Sequence, residues 1–156
     1  PIHLRPVTDN DLAVLRAIYA STRQDEMQMT GWNETQIQTF LDMQFDMQHR
    51  YYQTTYMNDS FQLILVGSTV AGRLYLGHWP EEIRIIDIAL LPQFRGQGIG
   101  SKLLDDIQHE AAEENLQISI HVEKNNPAQR LYARHGFTIT ADAGVYWRMD
   151  WYPPAA

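Results

Sequence analysis

The segment Arg95-Gly96-Gln97-Gly98-Ile99-Gly100-Ser101 limits the folds open to this chain more than any other stretch. It joins an apolar run ending at Leu91-Pro92 to a helical pattern that begins near Lys102 and carries Leu103, Leu104, Ile107 and Ala111. Strand, tight turn and helix must therefore follow one another, which calls for an α/β architecture. Three glycines at alternate positions leave backbone N–H groups uncovered by side chains, so that they can turn towards one anion. The helix behind them adds the positive end of its dipole. The loop reads as a diphosphate cradle.

Two nucleotide-binding patterns fail at this loop. A Walker A loop starting at Gly96 needs its second glycine at position 101, where Ser101 stands. A dinucleotide fingerprint built on Gly96 and Gly98 needs a glycine at the same place. That fingerprint also belongs to an early βα unit, whereas this loop lies late in the chain.

A length of 156 residues suits one domain, expected over 1–152, with Pro153-Pro154-Ala155-Ala156 a flexible tail. The net charge of −7 argues against a nucleic-acid surface and requires any anionic ligand to be held by local donors. The chain has no cysteine, so disulfides, thiolate catalysis and cysteine-based zinc sites are excluded, and no metal site is expected. No apolar run approaches the roughly 18 residues of a membrane span, and no signal-peptide pattern opens the sequence, so a cytoplasmic location is expected.

Ile2 to Val7 alternates as a short strand, and Thr8 with Asp11 forms a capping-box start for a helix carrying Leu12, Leu15, Ile18 and Tyr19. Asn33 caps a second helix whose face holds Ile37, Phe40, Leu41, Gln44, Phe45 and Gln48. Phe61–Val66 and Val70–Leu76 read as a hairpin, and Ile83–Leu91 as a central strand apolar on both faces. After the loop and its helix come a strand at Leu116–Val122, a helix opened by Pro127 and closed by Gly136, and a final strand pair. The order is β-α-α-β-β-β-α-β-α-β-β, a sheet with helices on both faces.

Arg95, Gly98 and Gly100 stand in the R/Q-x-x-G-x-G/A spacing of the GNAT N-acetyltransferase superfamily, after the strand Ile86 to Leu91. A second block, Asn125-Asn126-Pro127-Ala128-Gln129-Arg130-Leu131-Tyr132 followed by His135-Gly136-Phe137, resembles that family's N-x-x-A-x-x-L-Y…G-F segment. The resemblance spans about residues 2 to 152, apart from Ser21 to Tyr56. It implies a mixed, mostly antiparallel sheet of six to seven strands splayed in a V, with about four helices. It also implies acetyl-CoA as cofactor. The diphosphate would lie on Arg95, Gly96, Gln97, Gly98, Ile99, Gly100 and Ser101. The main chain of Ala89, Leu90 and Leu91 would bind the rest, with an N–H, that of Leu90 above all, polarising the thioester carbonyl.

The resemblance makes Tyr132 the acid that serves the departing coenzyme A thiolate, and Asn125 a cofactor contact; a partly buried structural tyrosine and a simple helix cap are the competing roles. The base is open. Asp87 lies on the strand before the loop, where an acid in an apolar run asks for an explanation. Glu81, Glu82, His121 and a water chain are the alternatives. The acceptor, an amine of a small molecule or peptide, is expected over the first two helices, where Glu26, Trp32 and Gln44 are candidates, with Tyr146 as an opposite wall. The implied activity is direct acetyl transfer in a ternary complex. A non-catalytic acyl-CoA-binding module and transfer of another acyl group are the alternatives, and a homodimer through the C-terminal strands is left open.

Overall fold

The Thr8 capping box forms as expected. Thr8 Oγ1 accepts from the Asn10 N–H at 3.3 Å, and Asp11 accepts from the Thr8 N–H at 2.7 Å. It opens a 3-10 turn at Asp9–Asp11 that leads into α1 (Leu12–Gln28). This computed structural model describes residues 1–155; Ala156 of the expected tail lies outside the described residues.

Asp11 also accepts two 3.0 Å hydrogen bonds from the Arg5 guanidinium of β1 (Ile2–Pro6), which ties that strand to the helix start. The fork, opposed by burial, holds the Asp11 carboxyl down at about 2. A carboxyl whose folded pKa is depressed stabilises the fold above its unfolded value and loses that contribution as pH falls through the folded one. Asp11→Asn should therefore lower unfolding free energy near neutral pH by about 1–2 kcal/mol, allowing for solvent screening at the half-exposed Arg5. The gap should close between about pH 4 and about pH 2. Denaturant titrations across that range check it, and a gap that persists in acid would refute the electrostatic origin.

Asn33 and Gln36 cap α2 (Glu34–Thr55) reciprocally, each N–H reaching the other side chain at 2.9 Å. Leu41 and Phe45 turn inward, and Tyr19 of α1 meets Phe45 edge-on with ring centres 6.1 Å apart. The remaining elements are β2 (Ser60–Val66), β3 (Thr69–His78), β4 (Glu82–Leu90), α3 (Ile99–Glu114), β5 (Gln117–Glu123), α4 (Gln129–Arg134), β6 (Thr138–Ala143) and β7 (Tyr146–Trp151). The element order matches the expected one. The strands form a mixed seven-stranded sheet in the order β1-β2-β3-β4-β5-β7-β6. β4 and β5 are parallel, with α3 as their crossover, while the β1–β2, β5–β7 and β6–β7 pairs are antiparallel.

The chain divides into two compact units: Pro1–Leu74 with Ile88–Arg95, and Tyr75–Asp87 with Gly96 onward. The first buries Leu15, Ile18, Phe45, Leu63 and Ile64; the second buries Ile83, Ile85, Leu104, Ile118 and Tyr75. Among the described residues no helix is long and apolar enough to cross a membrane.

β4 departs from its expected burial. Ile83, Arg84 and Ile85 are buried, but Ile86 to Leu90 are only half-buried. The register gives the reason. β4 pairs with β5 only over Glu82–Ile85 against Gln117–Ile120. β5 then continues through His121, Val122 and Glu123 against Arg148, Trp147 and Tyr146 of β7. The apolar run marks a central strand, but one that loses a neighbour halfway along.

Candidate active site

Gly96 and Gly98 adopt left-handed backbone, at φ 72° and 82°. A Cβ at either would meet no atom within 4 Å. Neighbouring atoms therefore do not demand glycine there; the backbone conformation does, and the space in front of it is open. Gly98 is the N-cap of α3, and no side chain caps that helix end, whose first N–H groups have no partner within the helix. A cradle that any Cβ would partly fill, ahead of a sixteen-residue helix, fits a diphosphate.

Gly100 differs from the other two. It lies in the first turn of α3, and a Cβ there would sit 3.1 Å from Leu131 Cδ2. The third glycine thus serves close packing of α3 against the segment that ends in Tyr132. Ile99 is buried, so it has only its main chain to offer a ligand. Gln97 is exposed. Ser101 Oγ lies 2.9 Å from His135 Nε2, a contact that the sequence does not announce.

Arg95 is engaged with its own strand. Its Nε donates to the Leu90 carbonyl at 2.9 Å, and Nη2 reaches the Ser21 carbonyl and hydroxyl at 3.5 Å. The Leu91 N–H donates to the Ala71 carbonyl at 2.8 Å. A Cβ added to Gly72 would collide with the Ala89 carbonyl oxygen. The Leu91 N–H and the Ala89 carbonyl therefore both face β3. Main-chain groups of successive strand residues face opposite edges, so Leu90 faces away from β3, on the stretch of β4 that the β5 ladder does not reach. Of the three residues expected to offer main-chain bonds, Leu90 has its N–H on the open edge. Gly72 is a residue that sequence reasoning missed; a glycine inside a strand was the available signal.

Tyr132 is 4% exposed and stacks obliquely on Phe137 at 5.9 Å. Burial, and then the negative charge of Asp87, push its phenol well up. The group stays protonated at ordinary pH and is a donor. Asp87 is half-buried on β4, near enough for its charge to reach the phenol. Asn125 is exposed; it is its neighbour that bonds in the turn before α4, where Asn126 Oδ1 accepts from the Ala128 N–H at 2.9 Å.

The other base candidates fare unequally. Glu82 accepts from Arg148 at 3.0 Å and lies 3.7 Å from Arg84, whose Nε donates to Ser119 at 2.7 Å. That carboxylate belongs to a structural ion network. His121 is exposed, with its ring centre 6.4 Å from that of Tyr146 on β7. Burial of the ring, and then the charges of Arg84 and Arg148, lower its pKa.

The acceptor candidates are not gathered together. Glu26 pairs with Arg23 at 3.3 Å, Trp32 meets Phe40 edge-on at 5.4 Å, and Gln44 is half-buried on α2. A cleft of about 500 Å³ does run between α1 and α2, lined by Gln24, Met27, Glu34, Ile37, Gln38 and their neighbours. Glu26, Trp32 and Gln44 do not line it. Tyr146 belongs to the other compact unit.

A family model described as the acetyltransferase (GNAT) family matches residues 16–137. No curated protein matches the sequence. Among solved structures, the PaiA N-acetyltransferase of Thermoplasma acidophilum in complex with coenzyme A is similar at TM-score 0.72 and 16% identity, covering 97% of this chain and 99% of that one. An acetyltransferase of Thermus thermophilus gives TM-score 0.69 at 19% identity, covering 97% of each chain. Naa50 of Arabidopsis thaliana, in complex with the bisubstrate analogue CoA-Ac-MVNAL, gives TM-score 0.59 at 19% identity, covering 96% of this chain and 97% of that one.

Proposed function

The chain belongs to the GNAT acetyltransferase family, and from that membership we propose that it is an acetyl-CoA-dependent N-acetyltransferase, moving the acetyl group directly to an amine of a small molecule or peptide. The observation that carries this reading is the open, left-handed backbone at Gly96 and Gly98 ahead of the uncapped α3. The N–H groups of Gly96 to Ser101 hold the diphosphate there, and the helix dipole favours its charge. Acetyl-CoA, when bound, supplies an acetyl group already activated as a thioester.

The Leu90 N–H donates towards the carbonyl oxygen of that group, where charge grows in the transition state; one such donor is worth about 3 kcal/mol. Arg95 holds the carbonyl of the next peptide unit, that of Leu90, at 2.9 Å. The phenol of Tyr132 gives its proton to the leaving sulfur. Asp87 takes the proton that the incoming ammonium must lose. With no cysteine in the chain, a cysteinyl acyl-enzyme plays no part.

A thiol-release assay with acetyl-CoA against a panel of small amines and peptide N-termini tests the reading. Turnover of no amine would leave a coenzyme A-binding module, and failure to bind any coenzyme A thioester would overturn both. Gly98→Ala should weaken coenzyme A binding roughly tenfold or more, because its Cβ is strained at positive φ and intrudes on the cradle. Calorimetric titration with unchanged circular dichroism is the check, and unaltered affinity would remove the loop from the binding site.

A further inference from the structure

Ser101 is joined to a chain of hydrogen bonds that the catalytic scheme leaves unused. Its Oγ lies 2.9 Å from His135 Nε2. The other ring nitrogen, Nδ1, faces Gln108 Oε1 at 3.2 Å and Asp105 Oδ1 at 3.4 Å. The His135 side chain is 11% exposed, so solvent is largely kept from the ring.

Gln108 decides which ring nitrogen carries the hydrogen. Its Nε2 lies 2.7 Å from the His135 carbonyl oxygen, which can only accept. The amide is thereby oriented with Oε1 towards the ring, and both neighbours of Nδ1 are acceptors. Neutral His135 must hold its hydrogen on Nδ1, an assignment that follows from the network. Nε2 is then a bare acceptor, and the Ser101 hydroxyl donates to it. With its hydrogen committed to the ring, the Ser101 hydroxyl can offer a ligand only lone pairs.

Protonation reverses this bond. Nε2–H donates to Ser101 Oγ, the hydroxyl hydrogen is released, and a positive charge appears beside the first turn of α3. We propose that His135 is a positioning residue whose protonation switches the Ser101 hydroxyl from lone-pair acceptor to donor, so that a diphosphate at Gly96–Ser101 is held more tightly by the protonated form. The proposal rests on the coenzyme A reading above. Asp105 is the charged group that faces the ring from α3, and Arg134 adjoins it on α4. Trp151 of β7, which lies against Gly136, carries no charge.

Dephospho-coenzyme A is the probe, because its diphosphate diester keeps its charge across the pH range of the measurement. Its affinity for the full chain should rise about fivefold to tenfold from about pH 7.5 to about pH 5.5. His135→Gln places an uncharged, permanent donor opposite Ser101 and should bind equally at both pH values. Ser101→Ala should keep less than half of the logarithmic response, leaving only the effect of the charge. Binding without pH dependence, or a full response in Ser101→Ala, overturns the proposal and leaves the coenzyme A reading intact. No binding at either pH overturns that reading, and the proposal with it. Imidazole nitrogen NMR shifts of the free protein provide a test without ligand: the Nδ1–H tautomer is expected at neutral pH, and the Nε2–H tautomer would refute the switch.

Discussion

Tyr132→Phe is expected to lower kcat by roughly 10²–10⁴-fold and to leave coenzyme A affinity within about twofold. The substitution removes one hydroxyl and keeps the ring, so the contact with Phe137 and the burial that anchors α4 survive. Unfolding free energy should barely change for the same reason. The split between rate and affinity is the signature: a donor to the leaving sulfur acts in the transition state, not on the bound cofactor. Single-turnover rates beside calorimetric titrations measure both. An unchanged rate would return Tyr132 to a purely structural role. The phenol, pushed up by its burial and by Asp87, should stay protonated through the assay range, so its own titration should not shape the neutral part of the pH profile.

Gly72→Ala should destabilise the protein by about 2–3 kcal/mol and reduce activity together with stability. The added Cβ would collide with the Ala89 carbonyl oxygen and lie 3.0 Å from Leu90 Cα, and backbone atoms cannot rotate away as a flexible side chain can. Relief requires β3 and β4 to separate, which strains the Leu91–Ala71 hydrogen bond and shifts Leu90, the residue whose N–H faces the open edge. Denaturant unfolding and kcat/KM on the same preparations are the measurements. Normal stability would show that the strands tolerate the extra width, and normal stability with lost activity would place the whole effect at Leu90.

Much of the fold was legible because it is local. Thr8 and Asn33 cap helices through groups two or three residues away, so the sequence spacing carries the geometry. The apolar run before the glycine loop announced a central strand, since burial on both faces leaves a continuous pattern. It did not announce where burial ends, because Ile86 to Leu90 look the same on paper whether or not β5 stays beside them. Arg95 shows a similar limit. Its place in the loop motif suggests an anion contact, yet the guanidinium holds Leu90 and Ser21, the latter 74 residues away in sequence.

By itself the sequence determined the order of strands and helices, the left-handed turn before α3, and membership in a family defined by two spaced motifs. Backbone conformation and short-range spacing are written in residue type, and that is why those features could be read. Only the tertiary structure decided which of Ala89, Leu90 and Leu91 turns its N–H away from β3, that Gly100 packs against Leu131, and that Ser101 answers to His135. Each of these depends on which atoms meet across a long stretch of chain: 34 residues separate Ser101 from His135, and their hydrogen bond exists only once α3 and α4 have packed.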